Sequence, residues 1–334
     1  MTQKELTVLN LGQSLDDLAN LDPRGYGVCK ILYSGARQLR DKPLCMNAAQ
    51  KLIDTVKPGD HVYILSGFVL PPWNKAETDG IVSAVLLARA LEKGLGAKPV
   101  IVCPEECRKA VQEMAKCAAC APELVIFTKD AEKAPEQADR LIEAIPPAAV
   151  VSIECPGCNG AGVYHNATGV DVSAIEAKQD ALFEKLQKKG ILNIAIGDLG
   201  NEIGMGAIEQ TLHTYIPKGE TIGVYTKTDN LITATVSDWG CYAMIAAMAF
   251  LLEDLSVMHT KELEQQVLTC GSANGLIDMY GDHIPAVDGF GLEIMLPIVE
   301  LMGSLVKRAL ELRGTCKNWF KQVEELGFFD EFRF

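Results

Sequence analysis

The chain has 334 residues, 48% of them hydrophobic, and carries 31 basic against 44 acidic side chains for a formal charge of −13. That length suits two modest domains or one large α/β domain, and the apolar fraction supports a sizeable core, which excludes wholesale disorder. An acidic surface of this kind repels a phosphate backbone, so no nucleic-acid partner is expected.

Residues 1–58 read as a helical, turn-rich extension. ARQLRDKP and LCMNAAQKLIDTVKPGD have helix-like spacing, the latter with Leu44, Ala48, Leu52 and Val56 on one side. Apolar bursts then recur at 61–65, 99–102, 123–127, 149–153, 191–196, 220–225 and 231–236. Several are continuous rather than alternating, as strands covered on both faces should be. Helical patterns lie between most of them, at 77–94, 105–116, 134–145 and 171–190. Strand, crossover helix and strand again predicts an α/β fold with a largely parallel sheet. From about 240 to 334 the chain reads as mostly helical, interrupted at 271–290 by a segment dense in Gly, Asp and Pro. A single α/β domain over 1–334 is preferred to two.

The longest apolar stretch, CYAMIAAMAFLL from Cys241 to Leu252, ends at Glu253 and Asp254. It falls short of the roughly 18 residues that span a bilayer, so no membrane partner is expected. The polar start, MTQKELTVLN, lacks the order of a signal peptide and suggests a cytoplasmic location. Eleven cysteines read mainly as buried thiols. Cys117/Cys120 and Cys155/Cys158 are C-x-x-C pairs, but two ligands do not complete a tetrahedral set, and Cys155 and Cys158 are expected to be reduced and metal-free.

Open α/β sheets bind ligands beyond the carboxyl ends of their strands, which directs attention to the polar residues after each burst. Ser66 follows the first. Thr78, Asp79 and Gly80 open the next helix, where Asp79 is either an N-cap or a ligand contact. Glu154 begins a glycine-rich loop that carries Tyr164, His165 and Asn166. The strongest signal is ILNIAIGDLGNEIGMGAIEQ, in which a strand runs into Asp198, Asn201 and Glu202 among glycines. This is neither a dinucleotide fingerprint nor a Walker loop; its carboxylates suit Mg²⁺ or Mn²⁺. Ser237 and Asp238 end the last burst, Asp238 again as cap or site residue. Asp282, His283 and Asp288 lie in the irregular segment, which either closes a site or crosses the surface.

Taken together, ETDG (77–80), the Ile153–Asn166 segment with its IE, glycines and YHN, IGDLGNEIGMG (196–206), VSDWG (236–240) and, more weakly, Asp288-Gly289 resemble the C-terminal domain of D-glutamate cyclases over roughly residues 45–300. The resemblance implies a three-layer α/β/α fold with additional C-terminal helices, and a stand-alone domain without the N-terminal domain of mitochondrial members. The implied activity is a hydro-lyase reaction: reversible cyclisation of D-glutamate to 5-oxo-D-proline with loss of water. Where the family loop has two arginines, this chain has Cys155 and Cys158. Ala161 stands for an aspartate, Leu199 for a glycine and Asp238 for an asparagine. The cysteines remove two guanidinium partners for a substrate carboxylate.

The expected site is therefore catalytic Glu154, Asp198 and Glu202; substrate-binding Ser66, Thr78, Asp79, Gly80, Tyr164, Asn166, Asn201 and Ser237; and Mg²⁺ or Mn²⁺ on Asp198, Glu202, Asp238 and Asp288. The expected partner is a small acidic metabolite, with a homo-oligomer left open. Two other readings stand beside this one: a divalent-metal-dependent phosphatase acting on a small phosphate ester, and a non-catalytic metabolite-binding protein.

Overall fold

The computed structural model describes residues 3–312 together with 322 and 325–327; the rest of the expected C-terminal helical part lies outside the described residues. Three helices come first, α1 (Gln3–Ala19), α2 (Val28–Gln38) and α3 (Leu44–Thr55). Strand β1 (His61–Ser66) is followed by a small hairpin, β2 (Val69–Leu70) and β3 (Lys75–Ala76). Helix α4 (Ile81–Leu95), β4 (Lys98–Cys103), α5 (Arg108–Ala118), β5 (Glu123–Ile126), α6 (Ala134–Ala144) and β6 (Pro147–Ile153) alternate. An irregular stretch leads to α7 (Asp180–Lys188), β7 (Leu192–Gly197), α8 (Glu209–Tyr215), α9 (Gly219–Ile222) and β8 (Leu231–Thr233). The chain continues with α10 (Ser237–Leu251), α11 (Lys261–Ala273), a second hairpin, β9 (Ala286–Val287) and β10 (Phe290–Gly291), and α12 (Leu292–Leu312).

Six strands form one parallel sheet in the order β5-β4-β1-β6-β7-β8. Helices cover both faces, giving the three-layer α/β/α arrangement. The central strands are buried almost throughout, which explains their unbroken apolar runs. From β1 the chain moves outward to β4 and β5, then crosses back to β6 and proceeds the other way. The strand order therefore reverses between β1 and β6, and the region beyond their carboxyl ends is the usual crevice for a ligand in a doubly wound sheet. Ser66 ends β1 and Glu154 follows β6.

Helix α10 is apolar on every side, and Ser237 through Phe250 are all buried. A helix with no polar face belongs inside a core, and α1, α3, α4 and α12 surround it. Among the described residues no helix is long and apolar enough to cross a membrane. Helix α3 buries Leu44, Ala48 and Leu52, with Val56 at its end, as their spacing predicts. Its first amides are capped from α1: Asp16 accepts Leu44 N–H at 2.7 Å and Cys45 N–H at 3.0 Å.

Three local expectations change. The apolar run 220–225 is not a strand. Short helix α9 starts it, and Gly219 packs so tightly on the preceding helix that a Cβ would lie 1.9 Å from Leu212 O. The helical pattern at 171–190 is helical only in α7, because Asp171 takes the Ser173 amide at 2.8 Å and turns the chain. In ARQLRDKP the helix stops at Gln38.

Gly204 has a φ of +96°, and a Cβ there would meet Ala195 Cβ of β7 at 2.2 Å. Gly204→Ala should therefore cost about 3 kcal/mol or more from combined strain and overlap. Gly160→Ala, with nothing within 4 Å of the added atom, should stay within about 0.5 kcal/mol. Urea unfolding of the two variants checks this; equal midpoints would refute the close approach of Gly204 to β7.

Candidate functional site

Asp79 and Asp238 stand at the starts of α4 and α10, yet each caps the other's helix. Asp79 Oδ1 accepts Asp238 N–H at 2.8 Å, and its Oδ2 accepts Ser237 N–H at 3.1 Å. In return Asp238 Oδ1 accepts Gly80 N–H at 2.9 Å and Ser83 N–H at 3.2 Å. Two helix N-termini, with their positive ends, are thus tied together at the crevice. Gly80 makes this approach possible. Its φ is +75°, and a Cβ would lie 2.5 Å from Glu154 Cβ and 2.8 Å from Ser66 Oγ.

Further acids converge on the same place. Glu154 leaves β6 with a φ of +42°, an unusual value for a side-chain-bearing residue, and its Oε2 accepts the Ser237 hydroxyl at 2.7 Å. Asp198 leaves β7. Glu202 folds back over that loop and accepts the amides of Asp198 at 2.9 Å, Leu199 at 2.8 Å and Gly200 at 2.6 Å. Asp288 sits with Gly289 at the two-residue tip between β9 and β10, where φ values of +54° and +77° match a type I′ turn.

Asp198 belongs to two groups of carboxylates, one with Asp79 and Asp288 and one with Glu154 and Glu202. Within each group the ligand oxygens lie within 4.8 Å of one another. Asp198 Oδ1 and Asn201 Oδ1 are buried acceptors without a partner. An oxygen-only set with orphaned acceptors fits a hard divalent cation such as Mg²⁺ or Mn²⁺. Burial pushes the carboxyls of Glu77, Asp79, Glu154 and Asp198 well above their ordinary range, and their mutual repulsion adds to the shift. Burial and then Glu264 push Asp238 up to about 7, against the opposing amide bonds from Ser83 and Gly80.

The remaining expected residues are placed as follows. Ser66 is buried with an unpartnered hydroxyl in the crevice. Thr78 ties the late hairpin down by donating its hydroxyl to Ala286 O at 2.7 Å. Asp238 is outside both carboxylate groups; its oxygens accept from the α4 amides and the Tyr242 hydroxyl. Tyr164 and Asn166 make their bonds elsewhere. Tyr164 donates to Asp180 at 2.5 Å, and Asn166 Oδ1 closes its own turn through Thr168 and Val170. Cys155 is buried in the core and Cys158 is half-buried; both are free thiols. Burial and then Asp180 hold Cys155 well above, and push Cys158 up to about 12, which favours neutral thiols. Their loop braces the acidic one, with Ile203 N–H donating to Cys155 O at 2.8 Å and Gly157 N–H to Asn201 O at 3.1 Å.

Two residues escaped the sequence reading. Glu77 is buried and feels the charges of Asp288, Glu176, Glu202 and Asp238; its place in the ETDG motif was the available signal. Arg24 reaches in from the α1–α2 connection and donates from Nη2 to Asp288 O at 2.5 Å and Oδ2 at 3.0 Å. Burial works against its charge, but Asp288, Asp198 and Asp79 outweigh this and hold it above its ordinary value. No spacing in the sequence marks Arg24, which lies 264 residues from Asp288.

Fold and site define a doubly wound α/β protein with a buried carboxylate centre at its strand-order reversal. The family described as D-glutamate cyclase-like, C-terminal, matches residues 15–302, and the chain belongs to it. The mitochondrial D-glutamate cyclase of Homo sapiens is 32% identical over 119 residues, which are 35% of this chain and 19% of that protein. The chain thus spans a minor part of that relative's length. The 2-octenoyl-CoA carboxylase reductase CinF, solved with NADP and 2-octenoyl-CoA, is 15% identical over 70% of this chain and 46% of its own, with a TM-score of 0.29; this likeness is too low to bear on fold or function.

Without a cation, the folded chain keeps its site carboxyls protonated at pH values where the unfolded chain, with carboxyls near 4, has released those protons. The folded state then binds more protons, so stability falls as pH rises from about 4 through about 7, where Asp238 titrates. Metal-free protein should melt at a higher temperature near pH 5.5 than near pH 8, and Mn²⁺ should raise the melting temperature most at about pH 8. Calorimetric scans across this range check both. A stability that rises with pH, unaffected by Mn²⁺, would contradict the assignment.

Proposed function

We propose that this chain is a metal-assisted hydro-lyase that interconverts D-glutamate and 5-oxo-D-proline plus water in the cytoplasm, or acts in the same way on a closely related small acidic metabolite. The observation that carries this reading is Asp198, shared by two carboxylate groups that are buried except at Asp288, in a D-glutamate cyclase-like fold. In the forward direction a bond forms from the α-nitrogen to the γ-carboxylate carbon, and a carbon–oxygen bond breaks. Two protons leave the ammonium and two arrive on the departing oxygen. One carboxyl able to take and return protons near neutral pH can serve both transfers. Glu154 suits this role: its affinity for a proton is raised, and Ser237 holds its Oε2 in place. Glu202 orients Asp198 through its bond to the Asp198 amide. Asp79, Asp198 and Asp288 would hold a Mg²⁺ or Mn²⁺ ion, which offsets their charge and polarises a carboxylate that is otherwise a poor electrophile.

Asp198→Asn should lose Mn²⁺ affinity and turnover together. Glu154→Gln should keep Mn²⁺ affinity while kcat falls by a factor on the order of 10² or more. Isothermal titration with Mn²⁺ and assays from both D-glutamate and 5-oxo-D-proline check these outcomes; an Asp198→Asn variant as active as the wild type would overturn the proposal.

The meeting of two acidic groups at one aspartate also supports a second reading, hydrolysis of a small phosphate ester by a carboxylate-held metal pair. Phosphate release from a panel of such esters with Mn²⁺, alongside no turnover of D-glutamate, would favour it.

A further inference from the structure

The C-x-x-C pair at Cys117 and Cys120 is divided by the fold. Helix α5 ends at Ala118, and Ala119 turns the chain with a φ of +52°. Cys120 is carried inward, where its thiol donates to Val85 O at 3.7 Å and Ala115 O at 3.8 Å. Cys117 stays exposed in the last turn of α5. Its partner is Cys270 of α11, far away in sequence, and the two thiols are hydrogen-bonded to one another.

Helix packing builds this contact. Helices α5 and α11 lie against each other, and a Cβ at Gly271 would be only 2.8 Å from Met114 Sδ. Gly271 follows Cys270, and Met114 is one turn before Cys117, so the missing side chain lets the helices close beside the two thiols. Asn274 Nδ2 donates to Cys270 Sγ at 3.6 Å. Cys270 is half-buried. Burial and then the contact with Cys117 push its thiol up to about 11, so it keeps its proton at neutral pH. Among the described residues, neither thiol joins a group of ligands able to hold a metal. Cys103 and Cys107 make the same kind of contact, but both are fully buried and closed to an oxidant.

We propose that Cys117 and Cys270 are a reversible oxidation site, a surface dithiol that a hydroperoxide closes to a disulfide joining α5 to α11. The Cys117 sulfur attacks one peroxide oxygen, the O–O bond breaks, and the leaving oxygen departs as water with the Cys117 proton. Cys270 sulfur then attacks the sulfenic sulfur, the S–O bond breaks, and a second water leaves with the Cys270 proton. The two thiols lose two electrons and the peroxide gains them. The exposed thiol is the one attacked first, and the sheltered one resolves it. The site is independent of the reaction at the carboxylate centre. It bears on the same region of the fold, however. From Cys270 the chain runs to Ile277, whose N–H donates to Ala76 O at 3.1 Å and whose carbonyl accepts Thr78 N–H at 2.9 Å. The disulfide would anchor to α5 the helix that delivers this segment.

The test treats the full chain and its Cys117→Ser, Cys120→Ser and Cys270→Ser variants with hydrogen peroxide, then maps the cysteines by mass spectrometry of a digest made without reductant. Wild type and Cys120→Ser should both yield a peptide pair joined through Cys117 and Cys270, and dithiothreitol should release it. Cys270→Ser should stop at a sulfenic acid on Cys117 that dimedone traps. Cys117→Ser should lose the cross-link. Because the bond closes a long loop in a native contact, oxidised wild type should unfold at a higher urea concentration than reduced wild type, and Cys117→Ser should show no such shift. A disulfide between Cys117 and Cys120 would overturn the proposal. So would over-oxidation of Cys117 in wild type with Cys270 left as a free thiol, or a peroxide-treated wild type that keeps both thiols. A cross-link that lowers the urea midpoint would overturn it too, since the bond would then require native packing to break.

Discussion

The exchange of caps between Asp79 and Asp238 is the constraint on which the rest of the site depends. Each aspartate satisfies amides at the start of the other's helix, so α4 and α10 cannot be positioned independently. A helix begins with unpaired N–H groups that are costly to bury. Here the residues before both helices, Gly80 and Val236, make no side-chain cap. Crossing the carboxylates settles both debts and sets a pair of helix N-termini against the ends of β1 and β6. Asp16 does the same for α3 from α1. Three helices of the core layer thus take their caps from residues distant in sequence.

That arrangement concentrates negative charge where the sheet reverses. Several carboxyls share one buried region, and bringing them there costs free energy unless protons, a cation or hydrogen bonds offset it. Amides supply part of the offset for Asp79, Glu202 and Asp238. Asp198 Oδ1 receives none, which separates it from these three. Strained and crowded polar groups of this kind are what a binding centre requires and a purely structural core avoids. The backbone is bent at the same place, with a positive φ at Glu154 and no room for a Cβ at Gly80.

The outer rim is built by segments from both ends of the described chain. The hairpin tip at Asp288 and the loop at Arg24 close on one another, with Phe290 and Trp239 beneath them. Thr78 joins the same hairpin to the start of α4 through Ala286. The helices at either end therefore complete the crevice and do not merely decorate the sheet.

The parallel sheet and its crossover helices were legible in the sequence, because continuous apolar runs and helical spacing are local consequences of what each face touches. The acids after β6 and β7 were legible too, since strand ends in such sheets are where chemistry collects. Asp288 was named beside Asp198 as a metal candidate, but its place at a hairpin tip was not legible. Periodicity misled at 220–225, where an apolar run filled the core without entering the sheet; loop composition singled out Tyr164 and Asn166, whose side chains bond Asp180 and their own turn. The partners of Asp79 and Asp238 could not be read locally: an aspartate before a helix has the same pattern whether it caps that helix or another. Arg24 shows the same limit. Sequence determined which residues seek the interior and which turns they can make, whereas the meeting of Arg24 with Asp288, and of Asp288 with Asp198, exists only once the folded sheet brings distant loops to one place.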